Sequence, residues 1–135
     1  MSDVVIYDAS ILVDVLRTAR QLEDIESVTG MFRISAVVLA ELWRGATKPS
    51  DREFLRALSR RYPILTPTEK NWLESGWILE EMRSDRGFAP EKLRDLHLDL
   101  LIALTARSYG ARLITSNRRD FALIHHYRKF KLEVW

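Results

Sequence analysis

In 135 residues the chain carries 21 Lys and Arg against 19 Asp and Glu, for a net charge of +2, and 47% of it is hydrophobic. That composition suits one soluble domain, 1–135, and excludes a disordered or histone-like chain, since a near-balanced surface offers a nucleic acid only local basic clusters. Without cysteine there are no disulfides and no thiolate metal sites, so any metal must be held by oxygen or imidazole, which selects a hard cation.

Val4 to Tyr7 is a short, partly β-branched apolar run that suits a strand covered on both faces, as in a parallel sheet. Asp8 closes it. There is no basic leader before it and no run long enough to span a bilayer, so a cytoplasmic protein with no membrane partner is expected. Ser10 reads as the cap of a helix through Ile11, Leu12, Val15 and Leu16, and Gly30 as the end of a second helix on Leu22, Ile25 and Val28. Phe32 to Ser35 is expected as strand two, followed by a helix from Val37 to Trp43. A short helix over Asp51 to Arg60 precedes strand three at Pro63 to Thr66. Thr68 caps a helix running to about Arg83, with a loop from Ser84 to Ala89.

Pro90 opens a long helix, where its missing N–H costs nothing, and Gly110 stops it after Tyr109. Arg112 to Ser116 reads as strand four, Phe121 to Tyr127 as a helix and Leu132 to Trp135 as a last short strand. The alternation predicts an α/β three-layer sandwich with a mainly parallel central sheet flanked by helices. In such folds ligands lie beyond the carboxyl ends of the strands, where strand order reverses.

Three acids interrupt apolar sequence at that edge. Asp8 follows four apolar residues, although a turn or capping role would also place an Asp there. Asp99 sits among Leu96, Leu98, Leu100, Leu101, Ile102 and Leu104, on a helix apolar nearly all round and therefore buried. A carboxylate there needs a metal, a cation or several donors. Glu41 follows Val37 to Ala40, and reads either as a site acid or as an exposed partner of Arg44. Two carboxylates about 4 Å apart repel by roughly 4 kcal/mol at an effective dielectric of 20. A divalent cation removes that cost, and Mg²⁺ or Mn²⁺ takes such oxygen ligands.

Four segments, Tyr7 to Asp14, Ala40 to Gly45, His97 to Ala103 and Leu113 to Phe121, are similar to those of the PIN-domain nucleases, most closely the VapC-type toxins of bacterial toxin–antitoxin pairs. The resemblance implies a PIN-like fold and a metal-dependent endoribonuclease using Mg²⁺ or Mn²⁺. It makes Asp8, Glu41 and Asp99 the metal ligands and Ser10 and Thr115 polar supports. A homodimer with a cognate antitoxin as partner and RNA as substrate follows from the same likeness. Where many members carry a fourth acid this chain has Asn117, with Asp120 three residues later. Asn117 could ligate through its carbonyl or hold a water, and Asp120 could supply the charge or cap the helix at Phe121.

Other polar residues add less. Asp95, one turn before Asp99, is either a further ligand or a solvent-facing residue beside Arg94 and Lys92. His97, His125 and His126 are not expected to bind metal. Arg44, Arg83, Arg86, Arg118 and Arg119 could hold phosphates or remain solvated, and Trp43, Trp72 and Trp77 fit a core or an interface better than a stacking platform. A catalytically silent PIN fold that binds protein, and a nuclease directed at DNA, are the competing readings. Phosphoacceptor domains of similar topology need an Asp ending strand three, which Ile64-Leu65-Thr66 does not supply, and aspartate-based phosphatases need one where Ser10 stands.

Overall fold

The computed structural model describes residues 3–18 and 22–135. β1 (Val4–Tyr7) leads into α1 (Ala9–Thr18) and α2 (Leu22–Ser27); then come β2 (Met31–Phe32), β3 (Ile34–Ser35), α3 (Ala36–Arg44) and α4 (Pro49–Arg61). β4 (Ile64–Leu65), α5 (Glu69–Arg86), α6 (Pro90–Ser108), β5 (Arg112–Thr115), α7 (Arg118–Tyr127) and β6 (Lys131–Val134) complete the order. The main sheet runs β2-β1-β5-β6, and β3 pairs with β4 in a separate two-stranded sheet. Every pairing is parallel. Helices flank the sheet, so the three-layer α/β arrangement with a parallel sheet holds.

Because successive parallel strands need crossovers, the chain leaves β1 on one side toward β2 and returns on the other as β5. The carboxyl ends of β1 and β5 therefore border the switch point. Val5, Ile6, Leu113 and Ile114 of these strands are fully buried, and Ile11, Val38, Leu101 and Phe121 pack into the same core. β1 reads as a continuous apolar run, and β5 is apolar at its centre, Leu113-Ile114, because both faces of these strands are covered there.

Several local expectations change. The run Phe32 to Ser35 divides at Arg33: its N–H reaches Val5 O at 3.0 Å, while the Ile34 N–H turns to Pro63 O at 3.1 Å in the other sheet. α2 ends at Ser27, short of Gly30. Gly30 instead lets the backbone close on β1: at φ 148° a Cβ would come within 2.8 Å of Val5 Cγ2 and 2.9 Å of Asp3 O. The Leu22 side chain lies outside the described residues. α1 begins at Ala9, so Ser10 falls within the helix, and the Asp8 carbonyl accepts the Ile11 and Leu12 N–H groups at 3.1 and 3.4 Å. α5 extends to Arg86, where Gly87 in the left-handed region stops it, leaving a shorter connection to Pro90 than the expected loop. α7 starts at Arg118, with Asn117 as its cap in place of Asp120.

Candidate active site

Asp8 follows the last residue of β1, and its own N–H is tied to Ile114 O at 2.9 Å, which fixes the turn out of the sheet. Its side chain is only 4% exposed. Ser10 Oγ and Thr115 Oγ1 donate to Asp8 Oδ2 at 2.9 and 2.8 Å, so both hydroxyl hydrogens go to one carboxylate oxygen. Oδ1 is left without a protein hydrogen bond among the described residues. The hydroxyl oxygens in turn accept backbone N–H groups, Ser116 onto Ser10 at 3.1 Å and Asn117 onto Thr115 at 2.9 Å. This network ties the end of β5 to the end of β1 and presets the Asp8 rotamer.

Glu41 arrives from α3. Ser35, the last residue of β3, caps that helix by accepting from Val37 N and Val38 N at 3.1 and 3.2 Å. α3 buries Val37, Val38, Leu39 and Leu42, which leaves Glu41 half-buried at the edge of that face. Its Oε1 is buried without a hydrogen-bond partner. An unsatisfied buried acceptor costs about 1–3 kcal/mol. No ion pair joins Glu41 to Arg44, so the exposed-pair reading does not hold. Burial, and then the charge of Asp8, push the Glu41 carboxyl above its ordinary value, with Arg44 acting against them.

Asp99 comes from the middle of α6, whose buried residues Leu96, Leu100, Leu101, Ile102 and Leu104 surround it on the helix. Burial first, then Asp8, Glu41 and Asp120 in that order, push its carboxyl up to about 7, opposed by Lys92. The three acids thus act on one another electrostatically. They line a single cavity of about 380 Å³ together with Ser10, Arg44, Arg94, Asp95, Leu98 and Asn117.

The cavity does not hold a finished metal cage. Among the described residues no group of three His, Cys, Asp or Glu side chains is gathered closely enough to hold an ion unaided. Mg²⁺ keeps several waters and needs only one or two carboxylates directly, so wider spacing still suits it. The orphaned Glu41 oxygen and the Glu41 and Asp99 carboxyls, raised by burial and then by neighbouring acids, are the features a cation would relieve. The donor set, all oxygen, fits Mg²⁺ or Mn²⁺.

The remaining residues separate clearly. Asp95 is exposed but borders the cavity, and Arg94 lines it although nothing in its sequence context sets it apart from the other arginines. Arg83 pairs with Glu80, Arg86 bonds the Tyr127 hydroxyl, and neither they nor Arg118 and Arg119 line the cavity. Asp120 stands behind Asn117 without lining it: Asn117 Nδ2 donates to Oδ2 at 3.2 Å and Lys92 Nζ to Oδ1 at 3.0 Å. Burial works to raise its carboxyl, but these two hydrogen bonds overcome it and hold Asp120 below the usual range. His97 is engaged with Ser75 Oγ at 3.0 Å and edge-on to Trp72, away from the acids. Trp43, Trp72 and Trp77 are 38%, 53% and 59% exposed, so none is a core residue.

Thr115→Val tests the preset carboxylate. It removes the 2.8 Å bond to Asp8 and the acceptor for Asn117 N while keeping the shape. A loss of about 1–3 kcal/mol of stability is expected, measured by urea unfolding, because the part-buried Asn117 N–H loses its acceptor and the buried Asp8 carboxylate keeps only the Ser10 donor.

A second cavity of about 530 Å³ lies between α1, α2 and α4, lined by Leu12, Ile25, Phe32, Phe54, Leu58 and Tyr62 among others. It is mainly apolar, unlike the acidic one.

A family model described as PIN domain matches residues 5–126. Over 98% of both chains the fold is similar to a VapBC2 structure from Rickettsia felis bound to a promoter DNA fragment, at 24% identity and a TM-score of 0.73. VapBC-1 from nontypeable Haemophilus influenzae gives 23% identity and 0.72 over the same 98% of each chain. A toxin–antitoxin complex from Klebsiella pneumoniae gives 25% identity and 0.63, covering 87% of this chain and 90% of that one. No curated protein matches the sequence.

Proposed function

Because the chain belongs to the PIN-domain family, we propose that it is a single-domain, metal-dependent endoribonuclease that acts as the toxin of a toxin–antitoxin pair. The observation that carries this reading is the cavity lined by Asp8, Glu41 and Asp99, in which burial and then neighbouring acids raise the Glu41 and Asp99 carboxyls while a buried Glu41 oxygen goes unpaired. Asp8, Glu41 and Asp99 would hold one Mg²⁺ or Mn²⁺, with Asn117 beside them. When bound, such an ion lowers the pKa of a water and neutralises charge on a phosphate oxygen, as phosphodiester hydrolysis requires.

The chain's own residues do the rest. Ser10 and Thr115 hold Asp8 in one rotamer, so its free oxygen needs no rearrangement to act. Arg44 and Arg94, on opposite helices of the same cavity, would hold phosphates on either side of the scissile bond. The acids alone would repel RNA, and two guanidiniums at their rim offset that repulsion.

The likeness to three solved toxin–antitoxin structures supports an antitoxin partner. An amphipathic helix of that partner would lie against the apolar surface of the Trp-bearing helices, with a basic side chain approaching the acids, and the apolar groove between α1, α2 and α4 offers it a second seat. A homodimer in the cytoplasm completes the reading; among the described residues no helix is long and apolar enough to cross a membrane.

The test is direct. Purified protein with millimolar Mg²⁺ or Mn²⁺ is expected to cut a mixed-sequence single-stranded RNA, with chelator abolishing the reaction and restored metal recovering it. Cleavage of the matching DNA alone would make it a DNA nuclease, and no cleavage of either with metal present would leave a silent PIN fold. Co-expression with the product of the adjacent reading frame is expected to suppress toxicity and yield a complex on pull-down.

A further inference from the structure

Trp43, Trp72 and Trp77 are all exposed on helices, but the charges around them differ. Trp72 and Trp77 stand on α5, which carries five acids against three bases, a setting that repels a polyanion. Trp43 stands on α3 beside α4, which carries Arg52, Arg56, Arg60 and Arg61 against Asp51 and Glu53. Trp43 is thus set among cations, as the α5 pair is not.

The Arg56 guanidinium lies over the Trp43 ring, 5.9 Å from its centroid, where a cation is drawn to the ring face. Little else holds Arg56. Its pair with Glu53 is long, 3.9 Å, on a side chain that is 54% exposed, and Glu53 is closer to Arg60 at 3.2 Å. Surface pairs of that kind contribute almost nothing. Arg52, Arg56 and Arg60 recur every four residues, so they follow one side of α4 in steps of about 6 Å.

α3 joins this surface to the acid cavity. Arg44 lines the cavity and follows Trp43 directly, about 100° around the helix with Cα atoms about 3.8 Å apart. Leu39 and Leu42 of the same helix are buried, while Trp43 stays 38% exposed. The cavity rim, the indole and the Arg56 cation therefore succeed one another from α3 onto α4. A strand with a phosphate at Arg44 brings a neighbouring base to the ring. Cations interleaved with an aromatic are how proteins track single strands, because every base has a π face to stack.

We propose that Trp43 is the stacking seat for an unpaired base of the RNA strand cut at the acid cavity, with Arg56 holding the phosphate beside it. The inference rests on the RNA-nuclease reading above. A base within a duplex is already stacked on its neighbours and gains nothing from the ring, so the seat favours unpaired RNA. Trp43 touches the substrate away from the scissile bond.

The experiment measures binding by fluorescence anisotropy of a labelled single-stranded RNA of about ten nucleotides, in chelator so that no strand is cut. A second oligonucleotide has the same backbone without bases, and circular dichroism checks each fold. The wild type is expected to bind the RNA more tightly than the baseless strand. Trp43→Ala should raise the Kd for RNA about 5- to 150-fold, as loss of one stacked base does, and leave that for the baseless strand unchanged. Trp43→Phe keeps a ring and should restore most of the affinity. Arg56→Met should weaken both strands and reduce the salt slope by about one. If Trp43→Ala does not fold, Trp43→Leu keeps apolar bulk without a ring and faces the same outcomes. Unchanged RNA affinity in the ringless variant, with or without loss of a protein partner, or an equal loss on the baseless strand would each overturn the seat while leaving the nuclease reading intact. RNA bound through Trp43 but not cut when metal is restored would uphold the seat and overturn the nuclease reading. A wild type that neither binds the RNA in chelator nor cuts it with metal overturns both.

Discussion

Asp99→Asn is expected to abolish RNA cleavage by several orders of magnitude while leaving a folded protein that is more stable than the wild type in metal-free buffer at pH 8. The substitution keeps the shape on α6 and removes one of the four acids that line the cavity. The pH dependence fixes the sign. Asp99 is pushed up to about 7 from 3.8, so between those values the folded protein holds a proton that the unfolded chain has released. The stability this contributes is complete below about pH 4 and lost as pH rises through about 7. The variant has no such loss, and the gap between the two melting temperatures should open over that window. Each kcal/mol recovered is worth roughly 3–5 °C in a domain of this size.

Metal reverses the order. A ligand that binds only the folded state stabilises by an amount set by its concentration over Kd, so millimolar Mg²⁺ or Mn²⁺ should raise the wild-type melting temperature and barely move the variant. If Asp99→Asn unfolds the chain, Asp99 is a structural partner. If it folds and cuts RNA at the wild-type rate, the assigned site is wrong.

Phe121→Ala is the substitution expected to cost the most stability. Phe121 is fully buried, sits one residue after Asp120 and anchors α7 in the core. Truncating a buried Phe costs about 3–5 kcal/mol through lost transfer energy and the cavity left behind. Natural domains have only about 5–15 kcal/mol in total. Urea unfolding should show the midpoint falling by roughly a third or more with little change in slope. An exposed neighbour such as Ala122 replaced by Ser should move it by less than about 0.5 kcal/mol.

Much of this fold was legible because its strands are buried on both faces. Val4 to Tyr7 and the Leu113-Ile114 centre of β5 read as buried apolar strand, and Pro90, Thr68 and Gly110 marked helix ends by backbone chemistry that depends on no distant contact. Asp8 and Asp99 stood out for the same reason, as charges where charge is costly. What escaped was set by long-range pairing. The division of residues 31–35 between two sheets depends on Pro63 O waiting for the Ile34 N–H, which no local pattern records. Ser10 looked like a cap because its neighbours are helical, yet its hydroxyl is spent on Asp8 and its oxygen on Ser116, 106 residues away. Lys92 gave no signal at all, since a lysine in the first turn of a helix is ordinary until α7 folds over it.

The bond from Thr115 to Asp8 closes a loop of 107 residues, and β1 pairs with β5 across nearly the same span. Contacts so distant in sequence form late and slowly, because chain entropy must be surrendered before they return anything. A chain emerging from the ribosome carries Asp8 and Glu41 long before it carries Thr115, so during synthesis its acids have no preset geometry and no cavity. On the proposed function, activity would begin only with the closure of the whole domain, and the proposed antitoxin, if made alongside it, would have that interval in which to bind.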